Sequence, residues 1–243
     1  MAKDSPDYRS IAYGRYRPDT APDYARFATA YARRLLGRLN PESDWRCLDL
    51  ACGYGNFLAF LRHSGVRDFL GIDGAESAVL AAKREFGNEH AAVANVFEFL
   101  RAHPGPYRLL SSLDFIEHLR KDEVFEFLAL ARDALEPGGY LLIRTPNAGA
   151  PFGMAARYND ITHEICFTAN AIADTLARSG LHAACIWEDT ATPQTLAQAM
   201  HWLIWQAVRL LFRVADAAET GSWGDGILTR NMWVLARRPG PTK

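Results

Sequence analysis

Arg46-Cys-Leu-Asp-Leu-Ala-Cys-Gly-Tyr-Gly-Asn-Phe-Leu58 decides how the rest of the chain is read. Residues 46–50 are a short run of strand character, with Asp49 near its end. Gly53 and Gly55 follow at once, and from Asn56 the apolar Phe57, Leu58, Phe60 and Leu61 take helical spacing. A strand that passes through a glycine turn into a helix is a ligand-binding device. Glycine lets the backbone approach closely, and the helix start offers unpaired N–H groups. Two acids sharpen the reading. Asp49 precedes the turn, and Asp73 closes the next apolar strand, Phe69-Leu-Gly-Ile-Asp73, where a carboxylate can take both hydroxyls of a ribose. Leu58 stands where a dinucleotide fingerprint has its third glycine, so an adenosine without phosphates fits the turn better than a pyrophosphate.

Outward from this turn, strands and helices alternate. A helix over residues 21–39 precedes strand one. Helix 55–64, strand 67–73, helix 75–86, strand 91–93, a short helix from Val96, strand 107–113, helix 121–135 and strand 140–144 follow. Pro137-Gly138-Gly139 ends the long helix. That alternation predicts an α/β fold with a parallel, doubly wound sheet whose ligand lies at the carboxyl ends of the strands. Residues 181–187 and 231–236 read as closing strands, and 169–179 as a helix.

Asp49-Leu-Ala-Cys-Gly-Tyr-Gly55 with Asp73 resembles the cofactor motif of class I S-adenosylmethionine-dependent methyltransferases, over most of the chain from 47 to about 180. The resemblance implies a Rossmann-like seven-stranded sheet with an antiparallel last strand and helices on both faces. It also implies S-adenosylmethionine as cofactor, held by Asp49, Ala51, Cys52, Gly53, Tyr54, Gly55, Asn56, Asp73, Gly74, Asn95, Val96, Phe97 and Ser112. Two positions depart from the pattern: Ala51, where glycine is commoner, and Asn95, where Asp is. An amide can still bond the adenine edge through its oxygen.

Past strand four, Asp114, Glu117 and His118 cluster, and His163 follows in Tyr158-Asn-Asp-Ile-Thr-His163. The set resembles a metal site of ubiquinone-biosynthesis O-methyltransferases and small-RNA 3′-end methyltransferases. Carried over, Asp114, Glu117, His118 and His163 are the ligands of Mg²⁺ or Mn²⁺, with Asp114 standing where those groups have Glu. Glu-His after strand four also occurs in methyltransferases without metal, which leaves His163 as a metal-free general base. The choice stays open here. A hydroxyl acceptor needs in-line geometry and either a base or a cation that lowers its pKa.

The blocks Asp-Phe-Ile-Glu-His-Leu119, Glu-Pro-Gly-Gly139, Thr-Pro-Asn-Ala148, Arg-Tyr-Asn-Asp160 and Thr-His-Glu164 resemble, in order, bacterial methyltransferases of surface polysaccharides. The acceptor implied is a saccharide hydroxyl, with a small phenol or quinol as the alternative, and a non-catalytic cofactor-binding regulator as the reading outside enzymes. Residues 145–158 form a Gly/Pro-rich loop too long for a mere connection, and Arg157, Tyr158 and Asn159 suit a polyhydroxylated ligand.

The whole chain reads as one domain. Residues 1–45 are an arm and helix, 46–147 the cofactor-binding core, and 148–243 the substrate loop, closing strands and an insertion at about 194–218. In the arm, Tyr8, Tyr13 and Tyr16 alternate with Arg9, Arg15 and Arg17, a lid or a surface-packed strap. The insertion carries Leu196, Met200, Leu203, Ile204, Ala207, Leu210, Leu211 and Val214 on one helical face, widened by Trp202, Trp205, Val208 and Phe212. A narrow polar stripe of Gln198, Gln206, Arg209 and Arg213 remains. Such a helix packs inside the molecule or against a second copy, with peripheral membrane contact next, and its charges oppose a membrane span. A formal net charge of -1 gives no drive toward nucleic acid. Four cysteines without a CxxC pair, and a polar N-terminus without a signal-peptide core, lead to the expectation of a cytoplasmic protein with reduced thiols.

Overall fold

The computed structural model describes residues 22–35, 37–190, 192–224 and 226–240, so the arm over residues 1–20 lies outside the described residues. Helix α1 (Tyr24–Leu35) leads into β1 (Arg46–Leu50), α2 (Asn56–His63), β2 (Asp68–Asp73), α3 (Glu76–Phe86), β3 (Ala91–Val93), α4 (Val96–Ala102) and β4 (Tyr107–Leu113). Then come α5 (Lys121–Ala134), β5 (Leu135–Pro146), α6 (Gly153–Tyr158), α7 (Ala169–Arg178), β6 (His182–Glu188), α8 (Leu196–Thr220) and β7 (Asn231–Arg237). The seven strands make one sheet in the order β3-β2-β1-β4-β5-β7-β6. Only β7 runs against its neighbours, as expected of the closing strand.

Both faces of the sheet are covered, and neighbouring residues show it. Leu109 and Leu142 pack into the core shared with α1, α2 and α3, together with Phe57 and Trp233. Leu110, Leu141, Ile143 and Val234 point the other way, against α5 and α7. Strands buried on both sides need continuous apolar runs, and Leu-Leu110 and Leu-Leu-Ile143 supply them.

Two expectations are corrected. Helix α5 stops at Ala134, and Leu135 already pairs with Tyr107 in the sheet. The ladder breaks over the Pro-Gly-Gly turn and resumes with Tyr140 opposite Leu109, so the apolar periodicity through Leu135 belongs partly to a strand. The second correction concerns α8. It runs from Leu196 to Thr220, two residues past the end of the expected insertion, and none of its residues is buried. Leu196, Leu203, Ile204 and Leu211 are 80%, 59%, 60% and 71% exposed. Packing of this helix into the molecule's own core is therefore excluded. Each such side chain left in water forgoes about 1.5–3 kcal/mol. Among the described residues no helix is long and apolar enough to cross a membrane.

Candidate active site

The turn between β1 and α2 is locked onto β2. Cys52 N–H donates to Ile72 O at 2.9 Å, and Gly53 N–H donates to Asp73 Oδ2 at 2.9 Å. Asp73 Oδ1 also accepts from Ala75 N–H at 2.8 Å, so this carboxylate organises two turns. Gly55 sits at φ +82°, and a Cβ there would come within 2.8 Å of Phe86. Ala51 adopts φ 60°, the left-handed region, which explains the family's usual glycine at that position.

Asp49 is 2% exposed and accepts a hydrogen bond from Ser111 Oγ at 2.6 Å. Burial pushes its carboxyl up to about 7; the Ser111 bond opposes this, and the charge of Asp73 adds to it. Two buried atoms beside this strand lack a partner among the described residues: Asn56 Oδ1 at the start of α2, and Ser112 Oγ, whose residue pairs with Leu50. Polar atoms orphaned at a glycine turn fit a ligand that brings hydrogen-bonding groups. Cys52 lies beneath the turn, its thiol pushed well above the ordinary range by burial.

Asn95 takes a different role from the one expected. Its side-chain oxygen accepts from Phe97 N–H at 2.9 Å and Glu98 N–H at 3.3 Å, capping α4. The oxygen expected on an adenine edge is thus engaged by the helix, which leaves the amide N–H₂. Phe97 is half-buried against the core.

At the end of β4, a 3-10 turn at Ile116–His118 brings Glu117, His118 and His163 together. One ligand atom from each lies within 4.8 Å of the others. Glu117 is 1% exposed; its Oε2 accepts from Thr145 Oγ1 at 3.1 Å. Its carbonyl accepts from Glu164 N–H at 2.8 Å and Ile165 N–H at 3.1 Å, which docks the His163 segment. Burial, reinforced by the charge of Asp114, holds the Glu117 carboxyl well above the usual range.

Hydrogen bonding fixes both imidazoles. Thr162 Oγ1 donates to Asp160 at 2.8 Å, so it accepts from His118 Nδ1, also at 2.8 Å. The Arg157 carbonyl can only accept, and it lies 3.1 Å from His163 Nδ1. In the neutral rings, therefore, each Nδ1 carries the proton and each Nε2 the lone pair. The ring centroids are 4.8 Å apart.

Asp114 does not join the other three expected ligands. Its backbone has φ 55°, its side chain is half exposed, and its carboxylate pairs with Arg144. Arg144 Nε reaches Asp189 Oδ2 at 3.0 Å, and Asp189 Oδ1 accepts from Arg34 Nε at 2.7 Å and Trp233 Nε1 at 2.9 Å. Burial raises Asp189, but Arg144, the indole and Arg34 outweigh it and hold the carboxyl below its ordinary value. A long-range partner on β5 has thus claimed Asp114, with a purchase that local spacing does not show.

Of the residues expected at the acceptor, Arg157 touches the reaction cluster through its carbonyl, and its guanidinium lies 5.1 Å over the Tyr158 ring. Tyr158 is 71% exposed and Asn159 is exposed too. Sequence reasoning missed a cleft of about 410 Å³ lined by Phe152, Trp205, Asp189, Thr229, Arg230 and Asn231. It also passed over the anchors Ser111, Thr145, Asp160 and Thr162. The Asp-x-Thr spacing at 160–162 is the one local signal among these, a turn closed by Thr162 N–H on Asp160 at 2.9 Å.

The sequence matches the family described as a methyltransferase domain over residues 24–186, and the chain belongs to that family. Solved structures of similar fold include an S-adenosylmethionine-dependent methyltransferase from Archaeoglobus fulgidus (20% identity, TM-score 0.66, covering 95% of this chain and 100% of that one). Another, from Mesorhizobium loti, is 18% identical, with TM-score 0.58 and coverage of 86% and 98%. Haemonchus contortus phosphoethanolamine N-methyltransferase 2, solved in complex with S-adenosyl-L-methionine, is 14% identical, with TM-score 0.59 and coverage of 98% and 61%. No curated protein matches the sequence.

Proposed function

We propose that this methyltransferase moves a methyl group from S-adenosylmethionine to a hydroxyl oxygen, and that the hydroxyl belongs to a saccharide of a surface polysaccharide or its precursor. One observation carries the oxygen chemistry: Glu117, His118 and His163 converge past β4 with both Nδ1 atoms anchored. The cofactor is held by the cradle of Asp49, Ala51 to Asn56, Asp73, Gly74, Asn95 to Phe97 and Ser112. The partnerless Asn56 Oδ1 and Ser112 Oγ suit its amino-acid end. Bound there, S-adenosylmethionine supplies an electrophilic methyl on a cationic sulfur.

What remains for the chain is to hold the acceptor oxygen in line and to take its proton. His163 Nε2 accepts that proton, while the Arg157 carbonyl keeps the ring oriented through Nδ1–H. His118, held through Thr162 by Asp160, positions the acceptor oxygen. Aromatic and polar groups share the cleft beside Asp189, the pairing that suits a sugar ring with an apolar face and hydroxyl edges. A phenol or quinol would use the rings of Phe152 and Trp205 and leave the polar lining idle.

A divalent ion is the second reading, favoured by the same convergence. Two imidazole nitrogens and one carboxylate suit Mn²⁺ better than Mg²⁺, which prefers oxygen ligands. Held by Glu117, His118 and His163, it would lower the pKa of the acceptor hydroxyl. Chelation separates the readings. If His163 is the base, exhaustive chelation leaves the rate intact, and His163→Ala loses about 10²–10⁴-fold while His118→Ala loses less. If an ion acts, chelation abolishes turnover, Mn²⁺ restores it, and both variants fall alike because ligands act as a unit. Full activity in His163→Ala contradicts both.

A further inference from the structure

Helix α8 is mounted with its polar side inward. Arg209 pairs with Glu188 at 2.8 Å and donates to Gly226 O at 3.2 Å, and Arg213 lies 5.6 Å over the Trp223 ring. Trp205 faces the body as well, lining the cleft beside Asp189, and Phe212 meets Phe152 edge-on at 6.2 Å. The opposite side, from Leu196 to Ala218, carries only apolar residues, and its large members are about half exposed or more.

That outward side has a specific period. Leu196, Met200, Leu203, Ala207, Leu210, Val214 and Ala217 alternate spacings of four and three, and Ile204 and Leu211 form a third column seven apart. Sustained over about three repeats, this spacing suits a helix laid against another helix. An interfacial helix also brings Lys or Arg to meet lipid headgroups. Helix α8 has no lysine, and both its arginines are committed to the chain's own body.

We propose that α8 pairs antiparallel with α8 of a second copy, about a two-fold axis at Ala207. The sequence is self-complementary about that point, as a two-fold interface requires. Leu203 meets the partner's Leu211, Ile204 meets the partner's Leu210, and Met200 meets the partner's Val214. Small Ala207 at the centre lets the helices approach over a seam of about 33 Å, at 1.5 Å per residue. This pairing does not depend on which acceptor is methylated.

Sedimentation equilibrium on the full chain tests it. The expected result is twice the 27.1 kDa chain mass for the wild type, and the single-chain mass for Leu203→Glu and Leu210→Glu, with S-adenosylhomocysteine affinity and melting profile retained. Both positions are exposed, so the variants fold. Ala207→Cys should cross-link under oxidation, and His201→Cys, on another side of the helix, should not. A monomeric wild type overturns the pairing. So does a monomer that binds vesicles of mixed phosphatidylcholine and phosphatidylglycerol, or a dimer that Leu203→Glu and Leu210→Glu leave intact.

Discussion

Asp49 is a carboxyl whose charge the fold withholds. With its value at about 7 against roughly 3.9 for an exposed aspartate, the folded, unliganded chain binds a proton that the unfolded chain has lost. The sign follows: this residue's contribution is complete below about pH 4, declines as pH rises, and is gone above about 7. A cationic ligand beside it reverses the preference and expels the proton. Cofactor affinity should therefore rise with pH up to about 7, and calorimetry near pH 6 in two buffers of different ionisation heat should register proton release that Asp49→Asn abolishes. Affinity flat across this range would contradict the buried acid. Ala51 gives a simpler case. A left-handed alanine costs about 1–2 kcal/mol, against about 0.5–1 kcal/mol of extra backbone freedom lost by glycine. Ala51→Gly should raise stability by up to about 1 kcal/mol and the melting temperature by about 2–4 °C; a lower melting temperature would show the turn to be unstrained.

At the scale of elements, strands β1, β3 and β4 are legible to the residue; in β1 and β4, buried on both faces, the strand shows as an apolar run between turns, and the edge strand β3 as a short apolar run before Asn95. The end of α5 is not legible: Leu135 satisfies a helical period as well as a sheet pair, and only the Tyr107 partner decides. Helix α8 shows a different limit. Periodicity reveals a broad apolar face but not which way it points, and here contacts to Glu188, Gly226 and Trp223 turn the polar stripe inward. The candidate site was readable for Glu117, His118 and His163, which adjoin strand ends or a quoted motif. Asp114 was misplaced because its partner, Arg144, comes from another strand. That arginine also ties the sheet to α1 through Asp189. Replacing it with Met leaves Asp189, with an 11% exposed side chain, short of its partner, so about 3–5 kcal/mol should be lost. Denaturant melts measure this, and a loss under about 1 kcal/mol would mean that Arg34 and Trp233 suffice.

For the molecule as a whole, the fold brings two separate sets to one end of the sheet. The Asp49–Asp73 cradle rises from β1 and β2, and the Glu117–His118–His163 cluster from β4 and the segment docked on it. Neither set overlaps the outward face of α8, so assembly and chemistry are separable in experiment. Methyl transfer to oxygen, with His163 at the reacting centre, is the reaction proposed for this chain. Its most direct test is mass spectrometry of nucleotide sugars and oligosaccharides incubated with S-adenosylmethionine and either wild type or His163→Ala. The predicted result is a product one methyl heavier, the methyl fragmenting as an O-methyl ether, with the variant slower by about 10²–10⁴-fold. A methyl found on nitrogen or carbon, or a variant as fast as the wild type, would contradict it.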